Sequence, residues 1–272
     1  MDASRPIGVF DSGVGGLTVL HECLVTLPHE DFVYLGDTGR FPYGQHSLDD
    51  LRAFAIEITS WLESQDVKLV VVACNSATAA ALPTLQRHFD LPIIGVVTPE
   101  AHAAVQATRA RRIGVLATVA TVESGRYREV IGELDAGVEV TEVACPGLAD
   151  RIQDGDPYDE AMVAHVREVC EPLRAAAVDT VILGCTHYPL VRPMLQRELG
   201  RRVTLIAAAE ELAGEVAETL RRKGLGNDDD RRGEYRFVCT GDPVSFARTG
   251  QRFLQLPLGP VRQLAPSELA VA

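Results

Sequence analysis

Ile7-Gly8-Val9-Phe10-Asp11-Ser12-Gly13-Val14-Gly15-Gly16 passes from an apolar, β-branched run into a polar, glycine-rich turn, and a helical pattern follows from Leu17. A short apolar run closed by such a turn reads as a strand buried on both faces of a parallel sheet. The same grammar recurs at residues 32–35, 69–73, 93–97, 113–116, 138–143, 180–183 and 203–206, with a ninth strand expected at 235–238. Helical stretches separate most of these runs. Ser47 followed by Asp50 reads as a capping box that opens a helix toward Gln65. Pro83 is expected to interrupt the helix over 77–89 and Pro172 to kink or break the one over 161–177. Residues 227–233 read as a solvated loop, and the proline-containing tail after Leu258 reads as irregular. Alternating β and α units imply an α/β fold of open, mostly parallel sheets with helices on both faces.

The pattern also echoes itself. Ile113-Gly114-Val115-Leu116 leads to Ala117-Thr118 as Ile7–Phe10 leads to Asp11-Ser12, and Val181-Ile182-Leu183-Gly184-Cys185-Thr186-His187 matches Val70-Val71-Val72-Ala73-Cys74-Asn75-Ser76. Each half offers an early polar turn and a later cysteine turn, in that order. Either strand ends simply look alike, or the chain holds two similar doubly wound domains that face one another.

Composition narrows the function. The chain has 272 residues, 46% hydrophobic and 24% charged, which suits packed cores and excludes a disordered chain. No apolar run approaches the ~20 residues that span a bilayer, and the N-terminus lacks the apolar stretch of a signal peptide, so a cytoplasmic protein without membrane partners is expected. A net charge of −12 argues against nucleic acid as the main ligand, the local cluster of Arg109, Arg111 and Arg112 notwithstanding. Six cysteines without a C-x-x-C pair suggest thiols rather than a disulfide framework. The oligomeric state stays open, a homodimer being one arrangement.

Ligands of open α/β sheets gather at strand carboxyl ends. The unusual polar residues fall there: Asp11-Ser12, Asp37-Thr38, Cys74-Asn75-Ser76, Thr98, Thr118 and Cys185-Thr186-His187. The glycines after Asp11 permit positive φ and close backbone approach, so that turn reads as a seat for an anion or carboxylate or as a tight connection. Cys74 and Cys185 each stand between a strand and the next helix, where the helix dipole is expected to lower a thiol pKa. Cys23, Cys145, Cys170 and Cys239 read as structural. Three chemistries remain for the matched pair. Zinc held by Cys74, Cys185 and His187 lacks an obvious fourth ligand, so no metal is expected. A Cys185–His187 nucleophile leaves Cys74 without a role. Proton transfer at a stereocentre uses both thiols, one on each side of the carbon. Neither of the two lysines, Lys68 and Lys223, is placed for a Schiff base, so no cofactor is expected.

At these residues the sequence resembles the aspartate/glutamate racemase superfamily, the glutamate racemases in particular. The motifs are residues 7–17, Gly36-Asp37-Thr38 with Pro42-Tyr43-Gly44, Ala73-Cys74-Asn75-Ser76, Leu183-Gly184-Cys185-Thr186-His187-Tyr188-Pro189-Leu190, and Thr240-Gly241-Asp242-Pro243 with Phe246. The resemblance implies two α/β domains with the active site in the cleft between them. The first would comprise residues 1–97 and 210–272, the C-terminal segment returning to it, and the second residues 98–209. It implies cofactor-independent interconversion of L- and D-glutamate, with D-glutamate supplied to peptidoglycan synthesis. Cys74 would act on the D-enantiomer and Cys185 on the L-enantiomer, with Asp11 and His187 assisting. Asp11, Ser12, Tyr43, Gly44, Asn75, Ser76, Thr118, Thr186 and His187 would bind the substrate. Gln153-Asp154 stands where the family often has two glutamates, and Ala207-Ala208 where Asp-Ser is usual. A racemase of aspartate or another amino acid, or a non-catalytic amino-acid-binding regulator of the same fold, is the alternative.

Overall fold

β1 (Ile7–Asp11) is buried along its whole length, as a strand must be when helices cover both faces of its sheet. Val9 belongs to one apolar core and Phe10 to another, because successive side chains of a strand point to opposite layers. The computed structural model describes residues 2–155, 159–227 and 230–269. The first lobe begins with β1, α1 (Leu17–Thr26), β2 (Phe32–Gly36), α2 (Leu48–Ser64), β3 (Leu69–Val72), α3 (Asn75–His88) and β4 (Ile93–Gly95). α4 (Val97–Ala107) leads to β5 (Arg112–Ala117), α5 (Val119–Glu123), α6 (Arg126–Leu134), β6 (Glu139–Ala144), α7 (Leu148–Asp154), α8 (Glu160–Ala175), β7 (Thr180–Gly184), α9 (Arg192–Leu199) and β8 (Thr204–Ile206). α10 (Ala208–Lys223), β9 (Tyr235–Cys239), α11 (Pro243–Leu254), β10 (Val261–Gln263) and α12 (Pro266–Leu269) complete the chain.

The strands form two sheets, ordered β10-β9-β2-β1-β3-β4 and β6-β5-β7-β8, and every pairing is parallel. The echo in the sequence is thus an echo in topology. β2-β1-β3-β4 and β6-β5-β7-β8 are the same winding, with the first strand between the second and third. The shared winding reverses between its first and third strands, between β1 and β3 in one sheet and between β5 and β7 in the other. Loops part at such a switch point and leave a crevice at the strand carboxyl ends. β9 and β10 return to the first sheet and extend it beyond β2. One apolar cluster runs from Val9 and Leu20 through Ala101 and Val216 to Val181, so α1, α4 and α10 pack the two sheets onto a shared core.

Several expectations need correction. α3 runs unbroken through Pro83 and α8 through Pro172. A proline removes one backbone bond, and the turns on either side can hold the helix. Pro172 and Glu168, whose carbonyl loses its helical donor, are both exposed residues. The fourth strand stops at Gly95 and α4 starts at Val97, with Pro99 in its first turn, where a missing N–H leaves no intrahelical bond unmade. The tail is not irregular: Val261, Arg262 and Gln263 pair with β9, an edge strand too short and too polar to announce itself. The capping box on α2 is present, with Asp50 N–H donating to Ser47 Oγ at 3.1 Å. In the expected loop over 227–233, Asn227 N–H donates to Glu30 Oε1 at 2.8 Å; residues 228 and 229 lie outside the described residues. No described helix is long and apolar enough to cross a membrane.

Candidate active site

The two switch points face one another, and one cavity of about 190 Å³ lies between them. From the first lobe it is lined by Ser12, Tyr43, Gly44, Cys74, Asn75 and Ser76; from the second by Thr118, Cys185, Thr186 and His187. Of the residues expected to act on or bind the substrate, all except Asp11 therefore reach one space, whereas Asp37 and Thr38 do not line it. No lysine or arginine lines it, so an anion there must be met by hydroxyls and backbone N–H groups. Thr98, in the first turn of α4, does not line it.

Cys74 is the N-cap of α3 and is 5% exposed; its Sγ approaches Ser12 Oγ at 3.7 Å. Cys185 follows β7, is 7% exposed, and has its Sγ 3.8 Å from His187 Nδ1. Both thiols depart from the expected lowered pKa. Burial, with Asp11 next, pushes Cys74 up to about 12, although the Ala77 N–H at the helix start pulls the other way. Burial likewise holds Cys185 well above the ordinary thiol range, against a backbone N–H of His187. Desolvation of a charge outweighs one or two oriented N–H groups here.

Asp11 ends β1 fully buried, behind the cavity wall rather than on it. Its Oδ2 accepts from Gly13 N–H at 3.0 Å and its Oδ1 from Thr186 Oγ1 at 3.4 Å, across the lobes. Burial raises its carboxyl pKa, against N–H donors at Gly16, Gly13 and Ser12. The glycines of this turn do not serve positive φ, since none of the three is among the positive-φ residues. They serve close approach. A Cβ on Gly15 would lie 2.3 Å from Thr186 Oγ1, and one on Gly44 2.6 Å from Thr118 Cβ.

His187 is 1% exposed and its ring packs against Phe41 and Phe253 at centroid distances of 5.5 and 5.3 Å. Burial lowers its pKa to about 3, so the imidazole is neutral. Its Nε2 lies 3.0 Å from Gln153 Oε1. An amide oxygen only accepts, so the proton sits on Nε2 and leaves Nδ1 bare toward Cys185. Gln153, a departure from the family pattern, is thus in contact with the histidine, whereas Asp154 lies on a separate rim cavity. Opposite, Ser76 Oγ is 2.9 Å from Thr118 Oγ1 and 3.1 Å from Thr121 Oγ1, a hydroxyl trio that links α3 to α5. The hydroxyl hydrogen of Tyr43 is already committed. It donates to Asp37 Oδ2 at 2.5 Å, and Asp37 also accepts from Arg40 Nε and Thr240 Oγ1, each at 2.7 Å.

Cys145, read as structural, lines the same cavity with Pro146, Gly147 and Asp150. The signal was available, because this run follows β6 and so obeys the strand-end rule; its turn simply lacks a counterpart in the other half. A second cavity of about 340 Å³ adjoins the first, shares Asn75, Cys185 and Thr186 with it, and reaches Ala207 and Ala208 at the start of α10. Lys68 is fully buried and ion-paired to Glu30 at 2.5 Å, at the amino end of β3 and so at the opposite end from Cys74. Arg111 and Arg112 pair with Asp135 and Glu139. Among the described residues no group of three or more His, Cys, Asp or Glu is arranged to hold a metal ion.

Two doubly wound lobes with matched strand-end thiols in one cleft define a class, and the chain belongs to it: residues 18–216 match the Asp/Glu/Hydantoin racemase family. It is an amino-acid racemase, hence an isomerase. Within the family it belongs with the glutamate racemases. It is 44% identical over 253 residues to the glutamate racemase of Parafrankia sp., covering 93% of this chain and 91% of the relative. The crystal structure of glutamate racemase isoform RacE1 from Bacillus anthracis superposes with a TM-score of 0.92 at 40% identity, covering 96% of this chain and 98% of that one. The Francisella tularensis glutamate racemase, solved in complex with D-glutamate, also gives 0.92, at 31% identity over 99% and 100% of the chains.

Proposed function

We propose that the protein interconverts L- and D-glutamate by direct proton transfer between two thiols, without a cofactor. The observation that carries this is a single cavity lined by Cys74 and Cys185, each from the equivalent strand end of its lobe. Starting from L-glutamate, the Cys185 thiolate takes the α-proton, and the electron pair of the broken C–H bond stays on the α-carbon as a carbanion. Cys74 S–H delivers its proton to the opposite face and is left as thiolate. The reverse direction exchanges the two sulfurs, so Cys74 acts on the D-enantiomer. His187, neutral and with Nδ1 3.8 Å from Cys185 Sγ, assists on that side as a hydrogen-bond partner that orients the Cys185 thiol. Asp11 serves the Cys74 side through the Ser12 turn. Ser12, Ser76, Thr118, Thr186 and the backbone at Tyr43-Gly44 seat the two carboxylates, and Asn75 takes the amino group. The chain divides into one domain of residues 1–97 with 210–272 and another of 98–209, with the cleft between them; β9 and β10 joining the first sheet support that division. The product D-glutamate feeds peptidoglycan synthesis in the cytoplasm, where six free thiols persist.

In deuterated water, L-glutamate should gain solvent deuterium at the α-carbon as D-glutamate appears. Cys74→Ser and Cys185→Ser should each cut racemisation by at least about 10³-fold, from loss of a general acid–base group. Each should retain more exchange with the enantiomer that its remaining thiol serves. Undiminished turnover in the double variant would dispose of the thiol assignment.

A further inference from the structure

Asn75 is the first residue of α3, directly after Cys74, and is 3% exposed. Its Nδ2 donates to Glu100 Oε2 at 2.9 Å and to Tyr127 Oη at 2.8 Å. Tyr127 Oη in turn donates to Glu100 Oε2. Both amide hydrogens of Asn75 and the hydroxyl hydrogen of Tyr127 are engaged behind the cavity wall, whereas Glu100 Oε1 is buried without a hydrogen-bond partner. Its Oδ1 is left buried with no hydrogen-bond partner. The three residues come from three elements: Asn75 from the first lobe, Glu100 from α4 between the sheets, and Tyr127 from α6 of the second lobe. Glu100 is fully buried, does not line the cavity, and makes none of the ion pairs found among the described residues. Burial raises the Glu100 pKa to about 8, against donation from Tyr127 and Asn75, so near neutral pH the carboxyl is largely uncharged; a purely apolar filler would pack the same space without burying polar atoms.

We infer that Glu100 and Tyr127 are positioning residues that lock the Asn75 amide with its oxygen, an obligatory acceptor, toward the cavity, where it receives the ammonium group of an α-amino acid. Rotating the amide by half a turn would break both Nδ2 donations, set Oδ1 against Glu100 Oε2, the acceptor of the Tyr127 hydroxyl hydrogen, and present donors to a cationic group. The lock therefore decides that the site accepts an amino acid over the same diacid lacking nitrogen. This rests on the cavity reading given above, in which Asn75 contacts the substrate amine.

The test uses the full-length protein, KM and kcat for both glutamate enantiomers, and the inhibition constant of glutarate, which keeps both carboxylates and lacks the ammonium. Glu100→Leu should raise KM for glutamate about 10- to 100-fold, the worth of a hydrogen bond to a charged group, and leave the glutarate constant within about twofold. Glu100→Gln retains an acceptor for Asn75 and should restore KM to within a few-fold of the parent. Tyr127→Phe, which deletes one hydroxyl, should move the glutamate-to-glutarate ratio in the same direction by a smaller factor, and it serves if Glu100→Leu does not fold. Equal weakening of glutamate and glutarate would mean a packing role only and overturns the lock. An Asn75→Ala protein whose discrimination is intact overturns instead the placement of the amine on Asn75.

Discussion

Gly15→Ala tests whether the two lobes must touch at the turn after β1. The added Cβ would meet Thr186 Oγ1 at 2.3 Å and His187 Cε1 and Nδ1 at 2.6 Å. Comfortable contact between heavy atoms lies near 3.5–4 Å, so the lobes must part by about 1 Å or the imidazole must swing away. Overpacking on this scale costs about 1–3 kcal/mol. For a chain of this size that lowers Tm by about 2–4 °C per kcal/mol, which leaves the protein folded at 25 °C. Activity should suffer more, because a catalytic group misplaced by about 1 Å loses about 10²-fold. The assay is circular dichroism of glutamate in both directions. The enantiomers are equal in energy, so the equilibrium constant is unity and kcat/KM must fall by the same factor from either side, which checks the measurement internally. Gly214→Ala is the control: that glycine is exposed within α10 and has nothing within 4 Å of an added Cβ. It should gain about 0.5–1 kcal/mol and keep full activity. A Gly15→Ala protein that racemises at the parental rate would refute the close approach of the lobes and the cleft built on it.

His187 should shape the acid limb of stability. Its folded pKa is lowered to about 3 from an ordinary 6.5, so the unfolded state binds more protons between those values and stability falls as pH drops through that window, by at most about 1.4 kcal/mol per pH unit. A His187→Gln variant should lose less stability between pH 6.5 and 4 in urea titrations, and an unchanged slope would contradict the buried neutral imidazole. Asp37→Asn weakens the anchor of Tyr43, Arg40 and Thr240 and should raise KM about tenfold with Tm lowered by several degrees, as for loss of ~1–3 kcal/mol of charge-assisted bonding; normal KM would free the Tyr43 loop from that anchor. With burial pushing Cys74 up to about 12 and holding Cys185 well above the ordinary thiol range, iodoacetamide should alkylate both slowly at pH 8 in ligand-free protein, at rates still climbing at pH 10. A thiol half-reacted with a midpoint below 8 would show that burial does not govern it.

The fold could be read because parallel strands buried on both faces must be continuous apolar runs, and because each ends in a turn of unusual polarity. The repeat of Cys74-Asn75-Ser76 as Cys185-Thr186-His187 even anticipated the shared winding of the two sheets. What escaped had no local signature. β10 exists because β9 offers it an edge, not because Val261-Arg262-Gln263 prefers extension. Prolines 83 and 172 looked like breaks, yet packing on both sides of them carries the helices through. Of the two uses read for glycines 13, 15 and 16, positive φ and close backbone approach, only the second holds, and the group that Gly15 approaches, Thr186 with His187, belongs to the other lobe and to no window around it. The thiol pKa values failed for the same reason. A helix start is visible in a sequence, whereas the desolvation that overrides it is a property of the closed cleft.

That reversal suits the chemistry. A cysteine that attacks an electrophile gains from a lowered pKa, because more of it is thiolate. A thiolate that must take a proton from carbon faces a far weaker acid, and its driving force rises with its own basicity, so part of what desolvation removes in thiolate population returns in the proton-transfer step. Two such bases are useful only when matched. If one sulfur were much the stronger base, the proton would rest there and the opposite half-reaction would stall, whichever enantiomer was bound. Cys74 and Cys185 occupy equivalent strand ends, are almost equally buried, and are both displaced upward with desolvation as the leading cause. Repeating one strand-turn-helix unit in two lobes therefore supplies more than two opposed thiols. It places them in like environments, which a reaction between mirror-image molecules of equal energy requires if neither direction is to be blocked.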